Sequence, residues 1–393
     1  MSDAIPADFD AEALDASFDS PYPVYADLRA RCPVAHTDSF GGFWALMAFQ
    51  DVFNAAADFR AFTTTVQNVV PKVAFTGRRP PLHLDPPEHT PYRRVLNDLL
   101  TQERADLLEP FTRAYARELV APMVAAGQAD ICEAYSSRLP IAVFAEWMNL
   151  PPDMVESLRT SAKAFNIAVQ SAMDDVVKVT SLELYELART LIGMRKEAPL
   201  EGDFVSSLLA ARSQGEALPD ELIIGCVRQV LVVGIIAPTV MIGSIAVHLA
   251  RHPDLQAQLR ADPTLMPAAL EEFLRLYTPY RGFARTAVKD IQMGGRTIKA
   301  GDPVALTYAS ANRDDAVFPD ADQFILNRPN IRDHIAFGVG PHRCAGVNLA
   351  RMELRVMIEE LLAATPGGFE LAGEIRPTRM PEIGALSVPL RFL

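Results

Sequence analysis

The sequence predicts a mainly α-helical protein that carries a small β-rich region. Three observations lead there. Apolar residues recur at helical spacing over most of the 393 residues. Strand-like runs are few, short and mostly set beside glycine pairs. A hydrophobic content of 49%, with no internal repeat or low-complexity tract, is enough to fill one sizeable core.

Residues 1–20 read as an acidic, partly ordered lead-in without the apolar stretch of a secretory signal. Helices are expected over Val24–Arg31, Pro91–Leu100, Arg104–Ala126, Ser137–Asn149, Asp153–Val169 and Val176–Arg195. Further on they are expected over Asp203–Ser213, Asp220–Arg251, Asp254–Ala261, Met266–Tyr277 and Ala345–Ala364. Several begin with Asp or Pro, where a cap or first-turn residue belongs. Ala35–Thr37 and Phe43–Ala48 read as a hairpin across Gly41-Gly42, Ile291–Met293 and Arg296–Ile298 as another across Gly294-Gly295. Pro303–Tyr308 and Ser387–Phe392 complete the strand candidates. No clean boundary divides residues 21–393, which read as one domain.

The formal charge of −12 comes without a Lys/Arg cluster, which argues against nucleic acid or anionic lipid as a partner. Four dispersed cysteines, with no C-x-x-C pair, indicate neither zinc nor a disulfide framework and fit a reducing cytoplasm. Val230–Val247 is 18 residues without a charge, flanked by Arg228 and Arg251. Its length suits a bilayer; its Pro238, Thr239 and Ser244 suit a buried helix in a large core equally well.

Cys344 lies in Phe337-Gly-Val-Gly-Pro-His-Arg-Cys-Ala-Gly346. Alone, a cysteine ahead of a helix is also a good small buried residue. The surrounding pattern suits delivery of a thiolate to haem iron, where it pushes electron density onto the metal and favours O–O cleavage. Gly338 and Gly340 permit a tight turn that aims N–H groups at sulfur. Gly346 lets the backbone approach a flat macrocycle, and Phe337 can shield the sulfur. A helix starting at Ala345 would stabilise the thiolate and lower its pKa.

The spacing Phe-Gly-x-Gly-x-His-x-Cys-x-Gly resembles the signature of the cytochrome P-450 superfamily, and the resemblance runs from about Tyr22 to the carboxyl end. It implies the cytochrome P-450 fold, haem b (iron protoporphyrin IX) as cofactor, and Cys344 as the iron ligand. It also assigns Val230–Val247 to the long helix crossing the distal haem face, which removes the membrane reading. Glu272 and Arg275, an i, i+3 pair that alone would pass for a solvated surface pair, match a buried ion pair completed by Arg328. His89 and Arg93 share a helical face; alone they are equally surface charges, while the resemblance makes them propionate ligands together with Arg285 and His342. Arg94, Arg343 and Arg355 are expected to face solvent, where they would suit an acidic redox partner.

The resemblance breaks on the central helix. The family's Gly-x-Asp/Glu-Thr falls on Gly234, Ile235, Ile236 and Ala237, so both the acid and the alcohol are missing, and Thr239 lies two residues on, directed elsewhere. Pro238 is expected to open or kink the helix and free a carbonyl for water. These residues are the candidate oxygen-side site. Val230–Val247 with Pro279–Arg285 is similar to the haem domain of self-sufficient P-450s that carry a phthalate-dioxygenase-reductase-type module with FMN and a 2Fe-2S cluster. The implied activity is a monooxygenase acting with O2 on a small apolar or aromatic substrate, by hydroxylation or O-dealkylation. Electrons would come from NAD(P)H through a ferredoxin or FMN/2Fe-2S reductase, separate or fused. The pocket walls are expected from residues 63–75, 165–169, 233–237, 279–283 and Ser387. Two alternatives remain: a peroxygenase driven by H2O2, and a non-catalytic haem sensor or carrier.

Overall fold

The computed structural model describes residues 6–393. Its frame is a set of long helices around Asp220–Arg251, which packs against Asp174–Glu197, Leu139–Trp147 and Val347–Ala364. Because neighbours surround it, this central helix can be apolar on every side. It is long and apolar enough to cross a membrane, yet 78% of its most apolar window is buried inside the protein. The helix that follows the cysteine loop, Val347–Ala364, lies along Gln102–Ala125. Arg113 and Arg117 of the latter donate to Glu360 at 2.7 Å each, and Arg113 also donates to Glu359 at 2.8 Å.

The β-rich region is a five-stranded sheet in the order Val34–Thr37, Phe43–Leu46, Pro303–Leu306, Phe283–Ala287, Phe62–Thr63. All pairings are antiparallel except that of Pro303–Leu306 with Phe43–Leu46. A second sheet joins Phe369–Leu371, Pro389–Phe392 and Gln128–Asp130.

The structure departs from the sequence-based expectations at definite places. The helix expected over Asp203–Ser213 ends at Ala210, and Arg212–Ser213 pairs with Glu216–Ala217. Gln214 and Gly215 both have positive φ there, the geometry of a tight two-residue hairpin turn. The expected strand Ser387–Phe392 is two strands: Ala385–Ser387 pairs with Arg376–Pro377, and Pro389–Phe392 joins the second sheet. Phe49–Ala57, which the sequence leaves unassigned, is a helix that lacks a side-chain cap and is held by burying Val52, Ala55 and Ala56. The acidic lead-in is part of the domain from Pro6 onward. Ala11, Leu14 and Phe18 are buried, and Asp8, Asp15 and Asp19 pair with Arg296, Arg281 and Arg251.

Glu272, Arg275 and Arg328 meet in the core, each with no more than 3% exposure. Arg275 grips both Glu272 oxygens at 2.7 and 2.8 Å, and Arg328 Nε reaches the same carboxylate at 3.1 Å. The two guanidiniums then donate to the carbonyls of Asn312, Pro319, Asp320, Ala321 and Gln323, while the Ile325 N–H donates to Glu272. Burial pushes the Glu272 carboxyl up, but the hydrogen bonds from Arg275 and Ile325 outweigh it and leave the group below its ordinary range. Asn312, whose carbonyl Arg275 holds, accepts from the Ile335 N–H at 2.8 Å through its side chain. The ion triad is therefore hydrogen-bonded into the segment that leads to Phe337.

Replacing Glu272 by Gln leaves two buried guanidiniums without a counter-charge, so urea unfolding of Glu272→Gln is expected to show a loss of about 3–5 kcal/mol. A loss below about 1 kcal/mol, the range of exposed ion pairs, would mean that the triad does not hold this segment.

Candidate functional site: the Cys344 loop and the central helix

The loop that presents Cys344 is shaped by two left-handed glycines, Gly338 (φ 69°) and Gly340 (φ 71°). At Gly340 a side chain is excluded for a second reason: a Cβ would stand 2.8 Å from the Ala56 carbonyl oxygen and the Ala57 Cα. The loop thus rests on the uncapped Phe49–Ala57 helix. The Cys344 N–H donates to the Phe337 carbonyl at 2.8 Å, closing the turn. Phe337 is half-buried, and the Arg351 guanidinium lies 4.9 Å from the centre of its ring.

The helix begins at Val347 with Gly346 as its cap, not at Ala345, so the sulfur sits just outside the helix. The expected lowering of the thiol pKa is reversed in the protein alone. Burial pushes the Cys344 thiol up, and the Gly346 N–H and the guanidiniums of Arg93, Arg343 and Arg351 offset only part of this. Cys344 is exposed by surface area even so; the two descriptions agree for a sulfur that opens inward from a densely surrounded loop. A coordinating metal deprotonates a thiol outright.

The other candidate ligands gather beside the loop. His89 stacks edge-on against His342 with ring centres 4.8 Å apart. His342 Nε2 lies 3.0 Å from Asp85, which also accepts from Thr63 and Thr64. Asp85, two residues after His83, is the site residue the sequence reading missed; its signal was an acid immediately before Pro86-Pro87. Arg93 Nη1 donates to the Arg343 carbonyl and Nε to Asn97 at 2.8 Å, so it braces the cysteine loop. Arg285, 4% exposed on strand Phe283–Ala287, donates only to the Ala284 carbonyl and forms no ion pair among the described residues. Burial pulls its pKa down. Burial, then His342 and Arg93, push the His89 imidazole down to about 4.

These residues fit a dianionic macrocycle ligated by Cys344. His89 Nε2 is buried without a partner, and Arg285 is a buried cation without a carboxylate. At Gly346 the only atom within 4 Å of an added Cβ would be Cys344 Sγ, at 4.0 Å. Protein packing does not explain that glycine, whereas a flat ring against the sulfur does.

The central helix has one accessible stretch in an otherwise buried surface. Val233 is 45% exposed, and Ile236 and Ala237 are partly exposed. The other residues of the candidate oxygen-side site point elsewhere. Gly234 abuts the Phe144 ring, which a Cβ would strike at 1.9 Å, and Ile235 is buried. Thr239 donates to the carbonyls of Ser136 (2.9 Å) and Ile235 (2.8 Å), so its hydroxyl is committed to the neighbouring turn. The helix runs unbroken through Pro238. Proline has no N–H, so the Gly234 carbonyl lacks its intrahelical donor. Of the three arginines expected to face solvent, Arg94 and Arg343 do, but Arg355 is bound to Glu109 at 2.5 Å and Glu359 at 3.3 Å. A surface cleft lined by Tyr22, Arg251, His252, Arg313 and Phe324 contains none of these residues.

The family model described as Cytochrome P450 matches residues 143–364. The chain belongs to the cytochrome P450 family. It is 33% identical to a mycinamicin IV hydroxylase/epoxidase of Micromonospora griseorubida, with 87% of each chain covered. It is 32% identical to a linalool 8-monooxygenase of Pseudomonas putida, covering 91% of this chain and 92% of the relative. A solved P450 of Mycobacterium marinum in complex with pseudoionone superposes with a TM-score of 0.88 at 26% identity over 100% of both chains. One from Chondromyces apiculatus gives 0.86 at 28% identity, covering 98% of this chain and 97% of that one. As a cytochrome P450 monooxygenase, the protein takes haem b as its cofactor.

Removing a charge-assisted contact to a propionate costs about 1.5–3 kcal/mol. Haem transfer from Arg285→Met to apomyoglobin is therefore expected to be at least about tenfold faster than from the unmodified protein, and His89→Leu is expected to act in the same direction. Unchanged transfer rates in both variants would remove these residues from the haem site.

Proposed function

We propose that this P450 inserts one oxygen atom of O2 into a small apolar or aromatic substrate, by hydroxylation or O-dealkylation, in the cytoplasm. Electrons come from NAD(P)H through a ferredoxin or FMN/2Fe-2S reductase, separate or fused. The observation that carries this reading is the exposed sulfur of Cys344 on its glycine turn beside the unpaired Arg285 and His89. Haem, when bound, supplies the oxygen-activating chemistry through its thiolate-ligated iron.

The chain's own residues then have separable tasks. Cys344 ligates; Phe337 and Gly346 shape the two sides of the sulfur; His89, Arg285 and His342 hold propionates; Arg93 fixes the loop. Four large apolar side chains in the expected wall segments are exposed: Val66, Phe75, Ile167 and Val233. Val66 and Phe75 line one cleft, and apolar lining suits an apolar substrate. Tyr280 packs at a tilt of 45° against Phe283, ring centres 4.3 Å apart, and supports the same wall. Protons reach the site through water held at the freed Gly234 carbonyl, because Ile236 and Ala237 carry none and Thr239 is turned away. That lack of a side-chain relay also favours H2O2-driven turnover as the second reading. Arg94 and Arg343 lie together on the cysteine-loop face, since Arg93 bonds the Arg343 carbonyl, and form the contact for an acidic redox partner.

The reduced, haem-loaded protein is expected to give the red-shifted Soret band with carbon monoxide, and Cys344→Ser is expected to lose it. Product formation should require a surrogate ferredoxin and reductase. Turnover with peroxide alone, at the same rate, would favour the peroxygenase. Failure of both across a panel of small aromatics would favour a haem sensor or carrier.

In the reductase-supported assay, the double change Ile236→Glu and Ala237→Thr is expected to raise product formed per NADPH consumed, since a positioned acid contributes directly to proton transfer. Arg343→Glu is expected to raise the KM for ferredoxin without altering the carbon monoxide spectrum. Unchanged coupling would dismiss the water route, and an unchanged KM would dismiss this docking face.

A further inference from the structure

Two arginines are buried next to the central helix with no carboxylate beside them. Arg228 is 1% exposed and Arg79 is 9% exposed. The titratable groups that Arg228 feels are Arg79 and Tyr185, and Arg79 feels Tyr185. Neither makes an ion pair among the described residues, in contrast to Arg195, which is equally buried and has Asp203 at 3.1 Å. The Nε atoms of Arg79 and Arg228 are both buried without a hydrogen-bond partner. Arg228 donates once, to Ser181 Oγ at 2.8 Å, and lies over the rings of Phe165 (4.8 Å) and Tyr185 (5.8 Å). Arg79 Nη2 lies 3.4 Å from His83 Nε2. The backbone at Arg78 presses on Gly225 of the central helix, where a Cβ would stand 2.0 Å from the Arg78 carbonyl oxygen. Close backbone packing therefore brings the two guanidiniums together.

Magnitudes decide what this means. Ring contacts offset only a small part of what it costs to bury one uncompensated ion. Two like charges share this site, so the internal contacts do not balance the cost. Burial, and then the neighbouring Arg79, push the Arg228 guanidinium down to about 9. Burial, Arg79 and Arg228 push His83 down to about 3. Arg79, Arg228 and His83 all disfavour more positive charge, and an anion would relieve them.

The position is informative. Phe165 and His83 border the wall segments assigned above, and a cleft lined by Asn68, Lys72, Phe75, Arg79 and His83 opens toward them without a carboxylate in its lining. Gln229 lies one turn before Val233 on the same helix face, and its Oε1 is also buried without a partner. Arg228 and Ile236 are eight residues apart, about 12 Å along the helix axis.

We propose that the substrate is a monocarboxylic acid, its carboxylate held between Arg228 and Arg79 and its apolar body running along Gln229 and Val233 toward Ile236. This rests on the monooxygenase reading and adds an anionic end to the apolar substrate. The length matches a medium-chain fatty acid or an arylalkanoic acid.

The test is a spin-state titration of the haem-loaded full chain with decanoate, dodecanoate and 3-phenylpropanoate, each against its methyl ester. The acids are expected to bind at least about tenfold tighter than the esters, or about 1.4 kcal/mol. In the Arg79→Gln, Arg228→Gln double variant the advantage is expected to fall to about twofold or less, with ester binding and the carbon monoxide spectrum unchanged. Arg228→Lys, which keeps the charge, is expected to retain the preference. Equal binding of acid and ester, no response to any acid, or a preference that survives in the double variant each overturns the proposal. So does a site that chloride alone saturates with no acid–ester difference. Should the double variant fail to load haem, the acid–ester comparison in the unmodified protein decides. A normal carbon monoxide spectrum with ester turnover leaves the monooxygenase reading standing while sinking the acid.

Discussion

Glu272 is a single carboxylate on which two guanidiniums and a backbone amide converge, and the placement of the catalytic thiol follows from it. Arg275 and Arg328 spend their remaining donors on carbonyls of the irregular stretch between Asn312 and Gln323. That stretch forms only turns of its own, so without the arginines the carbonyls of Asn312, Pro319, Ala321 and Gln323 would lose their protein donors. Asn312 passes the constraint to Ile335, and the Phe337 carbonyl passes it to the Cys344 N–H. The triad is costly to bury and works through geometry. It converts a loop into a rigid support for one sulfur.

The site divides into a cationic rim and an apolar roof. The rim gathers His89, His342 and Arg285 near one acid, Asp85, which ties His342 to Thr63 and Thr64. The roof is the stretch of the central helix around Val233, accessible where the rest of that helix is packed. The missing acid–alcohol pair leaves this roof without a proton donor of its own. Arg79 and Arg228, buried without carboxylate partners, add charge beside walls whose own charged residues are Lys72 and Arg281.

How much of this was legible in the sequence varies by physical cause. Long amphipathic helices and glycine-paired hairpins were readable because their signal is local. Asp220–Arg251 was bounded correctly at both ends by its charged first and last turns. The glycine turn before Cys344 was readable from its motif, and the ion triad through the resemblance that the motif carries. What the sequence hid depends on tertiary contact. Phe49–Ala57 has no side-chain cap, and its apolar positions gain meaning only under the cysteine loop. Arg355 resembles any surface arginine until Glu109 is brought beside it from 246 residues away. Arg79 and Arg228 fall just outside the segments expected to line the pocket, and their lack of partners is a property of space, not of spacing. The pKa of Cys344 was misjudged because desolvation outweighed the helix-end effect.

The lead-in has a consequence for how the chain is made. Three of its aspartates, Asp8, Asp15 and Asp19, close on arginines 288, 266 and 232 residues further along. Contacts of such separation carry a large loop-closure cost and belong to the last stages of folding. During synthesis this segment leaves the ribosome well before its arginine partners and has to wait, unpaired, until they have followed it. The fastening of this segment is thus a late event in assembly.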